Sequence, residues 1–143
     1  VVDDQAEALY YCGLALIHSG NYAAARMKLN RSLEIVHQIG YRAGEASSWH
    51  GLASIDLDEG NYSAAREKFN HSLEMQQQIG DHAGEGCTWH ELARIDLNEG
   101  NYQAAREKLN RSLEITQQIG NRPGTGRAGS VINERRVVGT RRP

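Results

Sequence analysis

The stretch EGNYSAAREKFNHSLEMQQQIG at residues 59–80 returns forty residues later as EGNYQAAREKLNRSLEITQQIG. Forty residues earlier the chain reads SGNYAAARMKLNRSLEIVHQIG. Residue n matches residue n+40 without a gap, giving units 5–44, 45–84 and 85–124. The second and third units are identical at 26 of 40 positions. A fixed period of this length marks a solenoid of stacked supersecondary units. One such unit cannot bury its apolar face alone, and stacking several copies does.

Each unit predicts two helices. In the second unit, Ala46, Trp49, Leu52, Ala53 and Leu57 follow the i, i+3, i+4 spacing of one helical face. Gly60 suits the left-handed position after a helix, and Asn61 suits an N-cap for the next. Tyr62, Ala65, Phe69, Leu73 and Ile79 mark the inner face of the second helix, which Gly80 ends. Arg66, Glu67 and Lys68, with their copies Arg106, Glu107 and Lys108, read as a solvated outer face. Tyr41 offers no cap to the first helix of its unit, whereas Asp81 and Asn121 offer one to theirs. Nothing alternates with period two, so no strand is expected. Small residues such as Ala65 allow close helix approach, and Ala65→Leu should overpack it at a cost of about 1–3 kcal/mol.

Charge is unevenly spread. Residues 1–120 hold 10 Lys/Arg and 17 Asp/Glu, and residues 121–143 hold 6 arginines and 1 acid. The repeated body is acidic, which argues against a nucleic-acid partner, because phosphate binding needs clustered cations. The two cysteines, Cys12 and Cys87, are too few for a disulfide scaffold and read as reduced thiols. No run is long and apolar enough for a membrane span or a signal segment. The expected location is cytoplasmic, with no membrane partner. Val1 in place of Met suggests a piece of a longer or processed protein.

The repeated positions resemble the tetratricopeptide repeat. Its pattern is carried by Trp49, Leu52, Ala53, Gly60, Tyr62, Ala65, Phe69, Ser72 and Leu73. It recurs in register as Trp89, Leu92, Ala93, Gly100, Tyr102, Ala105, Leu109, Ser112 and Leu113. The first unit gives Leu9, Cys12, Gly13, Gly20, Tyr22, Ala25, Leu29, Ser32 and Leu33. The resemblance implies an all-α fold, a right-handed α-solenoid of antiparallel helix pairs, with three repeats over residues 1–124. The unit departs from the usual length of about 34 residues. This 40-residue form is similar to the variant found in large bacterial regulatory and signalling proteins. Gly40, Gly80 and Gly120 replace the usual helix-ending proline, and Asp56 and Asp96 stand where a late aromatic is expected. A fourth copy fails, with Gly129 where Trp49 and Trp89 stood. Residues 125–143 read as a degenerate basic tail, either a short capping helix around Val131, Ile132, Val137 and Val138 or a disordered extension.

Catalytic motifs are missing. There is no P-loop, no dinucleotide fingerprint and no recurring nucleophile–base arrangement. Of six histidines, only His50 and His90 repeat, and two ligands do not make a zinc site. No enzyme activity, no cofactor and no metal are expected. The sequons at Asn30–Ser32, Asn70–Ser72 and Asn110–Ser112 fall within predicted helices and read as accidental.

By resemblance, the first helices line a concave groove that binds a peptide or helix. The implied lining is Tyr10, Leu14, Ile17 and His18, then Ser47, His50, Ser54 and Asp58, then Cys87, His90, Glu91, Arg94 and Asn98. The positions that hold a carboxylate clamp in chaperone-binding relatives are Tyr10, Leu14, His50 and Ser54 here, so a chaperone-tail receptor is not expected. The expected function is a protein–protein interaction scaffold with a protein or peptide partner. The alternative is self-assembly into homo-oligomers, as dimers or head-to-tail stacks through the repeat ends.

Overall fold

The computed structural model describes residues 3–120. It contains α1 (Asp4–His18), α2 (Tyr22–Gln38), α3 (Arg42–Asp58), α4 (Tyr62–Ile79), α5 (His82–Asn98) and α6 (Tyr102–Gly120). No strand occurs among the described residues. Helices pair as α1 with α2, α3 with α4 and α5 with α6, and the pairs stack through α2 on α3 and α4 on α5. The chain is an all-α solenoid of antiparallel helix pairs.

The connections are short because each is closed by its own backbone. At the α3–α4 turn the Gly60 N–H donates to the Leu57 carbonyl (3.0 Å) and the Asn61 N–H to the Asp56 carbonyl (2.8 Å). Gly60 sits at φ +82°, a left-handed conformation that a side chain strains. The same closure, from an N–H to the carbonyl five residues earlier, recurs from Asn21 to Leu16, Tyr41 to Val36, Asp81 to Gln76 and Asn101 to Asp96. Caps are less uniform. Asn21 accepts from the Ala24 N–H and Asp81 from the Gly84 N–H, whereas Asn61 holds the N-cap position without that side-chain bond. Tyr41 makes no side-chain cap bond. Asp3 caps α1 by accepting from Gln5 and Ala6. Asn121 and the proposed tail helix lie outside the described residues.

The core runs through the stack rather than sitting inside each pair. Ala53 and Leu57 of α3, Ala65, Phe69 and Leu73 of α4, and Leu92 and Ile95 of α5 form one buried cluster. Ala25, Leu29, Leu52 and Ile55 form its counterpart one unit earlier. Ile55 and Ile95 are fully buried, although the spacing argument passed over them. Ile79, read as an inner-face residue, is exposed instead, because it falls in the last turn beyond the packed ridge.

Two polar features repeat with the same period. The hydroxyls of Ser32, Ser72 and Ser112 donate to the carbonyls of Ala6, Ala46 and Gly86, at 2.8, 2.8 and 2.9 Å. The serines of the sequons are therefore bonded into the helix pair. Ser72→Ala should leave the Ala46 carbonyl short of a donor in a dry contact and destabilise by about 1 kcal/mol in urea unfolding.

The second feature overturns the reading of the AAREK segment as a purely solvated face. Asp56 of α3 is only 4% exposed. Arg26 of the preceding pair reaches its Oδ1 at 3.0 Å, and Lys68 of its own pair reaches its Oδ2. Arg26 also holds Glu59 at 2.7 Å. One unit on, Asp96 takes Arg66 at 3.1 Å and Lys108 at 2.6 Å, and Arg66 also holds Glu99. Of these segments Glu67 and Glu107 are exposed as expected, as is Arg106, but Arg66, like Arg26 before it, lies across the seam between stacked pairs. Their carboxylate partners strengthen the hold of Arg26 and Arg66 on their protons, with Glu59 and Glu99 contributing most.

Candidate functional site

Stacking of α1, α3 and α5 puts equivalent positions of the three units along one face of the molecule. His50, Cys87, His90 and Glu91 converge on one depression of about 510 Å³, completed by His82, Ala83, Gly86, Ser112, Thr116 and Ile119. Tyr10 and Ser47 line a second depression of about 260 Å³ between α1 and α3, with Tyr11, Val36 and Tyr41. The two are related by the repeat: Ala6, Glu7, Tyr10 and Tyr11 of one become Gly86, Cys87, His90 and Glu91 of the other.

The remaining expected lining residues are distributed differently. Leu14 is half-buried, and Ile17 packs against the core cluster of Leu29 and Ile55. His18 and Asn98 are exposed at the ends of their helices. The Ser54 hydroxyl donates back to the His50 carbonyl at 3.0 Å, one turn earlier. Asp58 accepts from the Tyr22 hydroxyl of the preceding pair at 3.4 Å. Arg94 donates to both oxygens of Glu91 along α5, at 3.2 and 3.1 Å. Ser112 and Thr116 were absent from the sequence-derived lining because they belong to a second helix. The signal was available: Thr116 lies one turn beyond Ser112, whose packing position places it beside Gly86.

His50 is the least satisfied polar group here. Its ring packs edge-on to Phe69 with centroids 5.1 Å apart. Its Nε2 is buried and meets no hydrogen-bond partner among the described residues. Burial pushes its pKa below the usual 6.5, and the Glu91 carboxylate pulls weakly the other way. The sign for stability follows from linkage. The unfolded chain binds a proton at His50 more readily than the folded one, so stability is full above about pH 6.5. It falls as pH drops from there toward the lowered folded value. Thermal melts across pH 5–8 should show this loss in the native chain and a flatter profile in His50→Gln. Tyr10 is also shifted, upward, chiefly by burial and then by Tyr11, with Ser47 opposing.

Among the described residues no group of three or more His, Cys, Asp and Glu is placed to hold a metal. Cys12 and Cys87 are unpaired and exposed. No helix among the described residues is long and apolar enough to cross a membrane.

Antiparallel helix pairs stacked at a fixed period, with variable side chains along one face, define a helical-repeat scaffold for protein–protein interaction. The family follows from the sequence match: a tetratricopeptide repeat model aligns over residues 4–78, more than half of the chain, and the chain belongs to the tetratricopeptide repeat family. No curated protein matches it.

Proposed function

We propose that the chain is a non-catalytic scaffold that receives a peptide or helix of another protein on the face built by α1, α3 and α5. The observation that carries this reading is the depression where His50, Cys87, His90 and Glu91 meet. The apolar walls from Ala83, Ile119 and the Phe69-backed imidazole suit a side-chain anchor, while Glu91 and Arg94 supply charge at its edge. By the family's arrangement this face is the concave one, and Tyr10, Leu14, Ile17, His18, Ser47, Ser54, Asp58 and Asn98 extend it.

A test is NMR mapping with a peptide selected against the whole chain from a displayed library. Amide shifts should move around Ser47, His50, Cys87 and His90. Shifts confined to α2 and α4 would remove the proposal. Self-assembly by head-to-tail stacking has less support. In the matching register α1 offers Leu16 and Ser19 where α3 offers Asp56 and Glu59 and α5 offers Asp96 and Glu99.

A further inference from the structure

The seam between stacked pairs is built the same way twice. On α2, Tyr22, Ala25 and Leu29 meet Leu52 and Ile55 of α3, and Arg26 takes Asp56 and Glu59. On α4, Ala65, Phe69 and Leu73 meet Leu92 and Ile95 of α5, and Arg66 takes Asp96 and Glu99. The surface of α6 repeats the receiving half of that seam: Tyr102, Ala105, Arg106, Leu109 and Leu113. Among the described residues nothing covers it as α5 covers α4. Leu73 is 8% exposed, whereas its copy Leu113 is 56% exposed and Tyr102 is 69% exposed. Arg106 is exposed and has no acid partner among the described residues, unlike Arg26 and Arg66.

The two occupied seams specify what fits. Each incoming helix carries Leu at i, Ile at i+3, Asp at i+4 and Glu at i+7, as Leu92, Ile95, Asp96 and Glu99 do. In the matching register the chain's later sequence reads Ile132, Arg135, Arg136 and Gly139, with arginine and glycine where the two acids stand. The α1 helix of a second copy would bring Cys12, Ala15, Leu16 and Ser19, again without acids. We propose that the outer face of α6 is a docking site for a helix of a partner protein, bearing an apolar pair three residues apart followed by an Asp and a Glu three apart. Apolar contact with Leu109 and Leu113 supplies the buried area, and Arg106 reads the acid pair and fixes the register. This surface is separate from the α1–α3–α5 face, so either can fail without the other.

The test uses the whole chain and a fluorescent, hydrocarbon-stapled helix with the sequence of residues 82–99, in which Cys87 is replaced by Ser. Anisotropy should give saturable binding. Arg106→Glu in the chain should weaken it by about tenfold or more, as should Asp96→Asn with Glu99→Gln in the peptide. A peptide with lysine at both acid positions should recover binding to the Arg106→Glu chain. Leu113→Asp should abolish binding of the original peptide. The proposal is overturned by no saturable binding, or by equal affinity for the neutralised peptide. Loss of binding with Glu91→Arg and Arg94→Glu but not with Arg106→Glu also overturns it. So does light scattering that finds α6 already covered by a second copy in a dimer dissolved by Leu113→Asp.

Discussion

Phe69→Ala is expected to destabilise the chain by about 3–5 kcal/mol, the largest effect of any single truncation in the stack. Phe69 is 0% exposed and lies where α3, α4 and α5 meet. Its ring touches both sides of the seam, so the cavity it leaves loosens α5 from α4 as well as α4 from α3. His50 loses its edge-on neighbour in the same step. The repeat supplies its own control, because Leu29 and Leu109 occupy the matching positions. Phe69→Leu should therefore cost less, about 1–1.5 kcal/mol. Urea unfolding followed by helical circular dichroism measures both. A difference under about 1 kcal/mol between the two variants would argue that the seam is not closely packed around this ring.

Asp56→Lys is expected to cost about 3–5 kcal/mol, and Asp56→Leu about 1 kcal/mol or less. The asymmetry comes from the surroundings of the carboxylate. Lysine would place a third cation beside Arg26 and Lys68 at a nearly dry position, leaving Glu59 as the one nearby acid of the cluster. Leucine removes the buried charge instead, and Arg26 and Lys68 are exposed enough to turn toward water. The first unit already uses this solution, with Leu16 at the matching position. For a buried carboxylate the cost of desolvation offsets the attraction of its partners, so the network is expected to act mainly on register. An apolar ridge tolerates sliding by a turn, whereas an arginine that must reach an Asp and a Glu does not. Equal losses for the two variants would contradict this division of labour.

Much of the fold was legible in the sequence because its strongest signals are periodic. The forty-residue repeat, the glycines at Gly20, Gly60 and Gly100, and the buried series Ala65, Phe69 and Leu73 all correspond to observed helices, turns or core. What the sequence hid depends on contacts between units. The partner of Arg66 lies thirty residues away in the next pair, and helical periodicity within one pair points Arg66 outward. Ser72 looked like half of a sequon or a small packing residue, and only the crossing of α3 and α4 brings its hydroxyl to the Ala46 carbonyl. On the candidate face, the shared surroundings of His50 and His90 could be anticipated from their spacing. Ser112 and Thr116 fell outside that reading because they belong to α6, although the packing position of Ser112 beside Gly86 carried the signal.

The most direct measurement is the affinity of the whole chain for a library-selected peptide, compared across three variants. The account predicts that Glu91→Arg with Arg94→Glu, which preserves their mutual pairing while reversing the charge offered to a partner, weakens binding by about tenfold or more. Arg106→Glu and Glu67→Lys should leave it unchanged. A selected peptide insensitive to the α5 reversal but lost with Glu67→Lys would place recognition on the second helices and contradict the account.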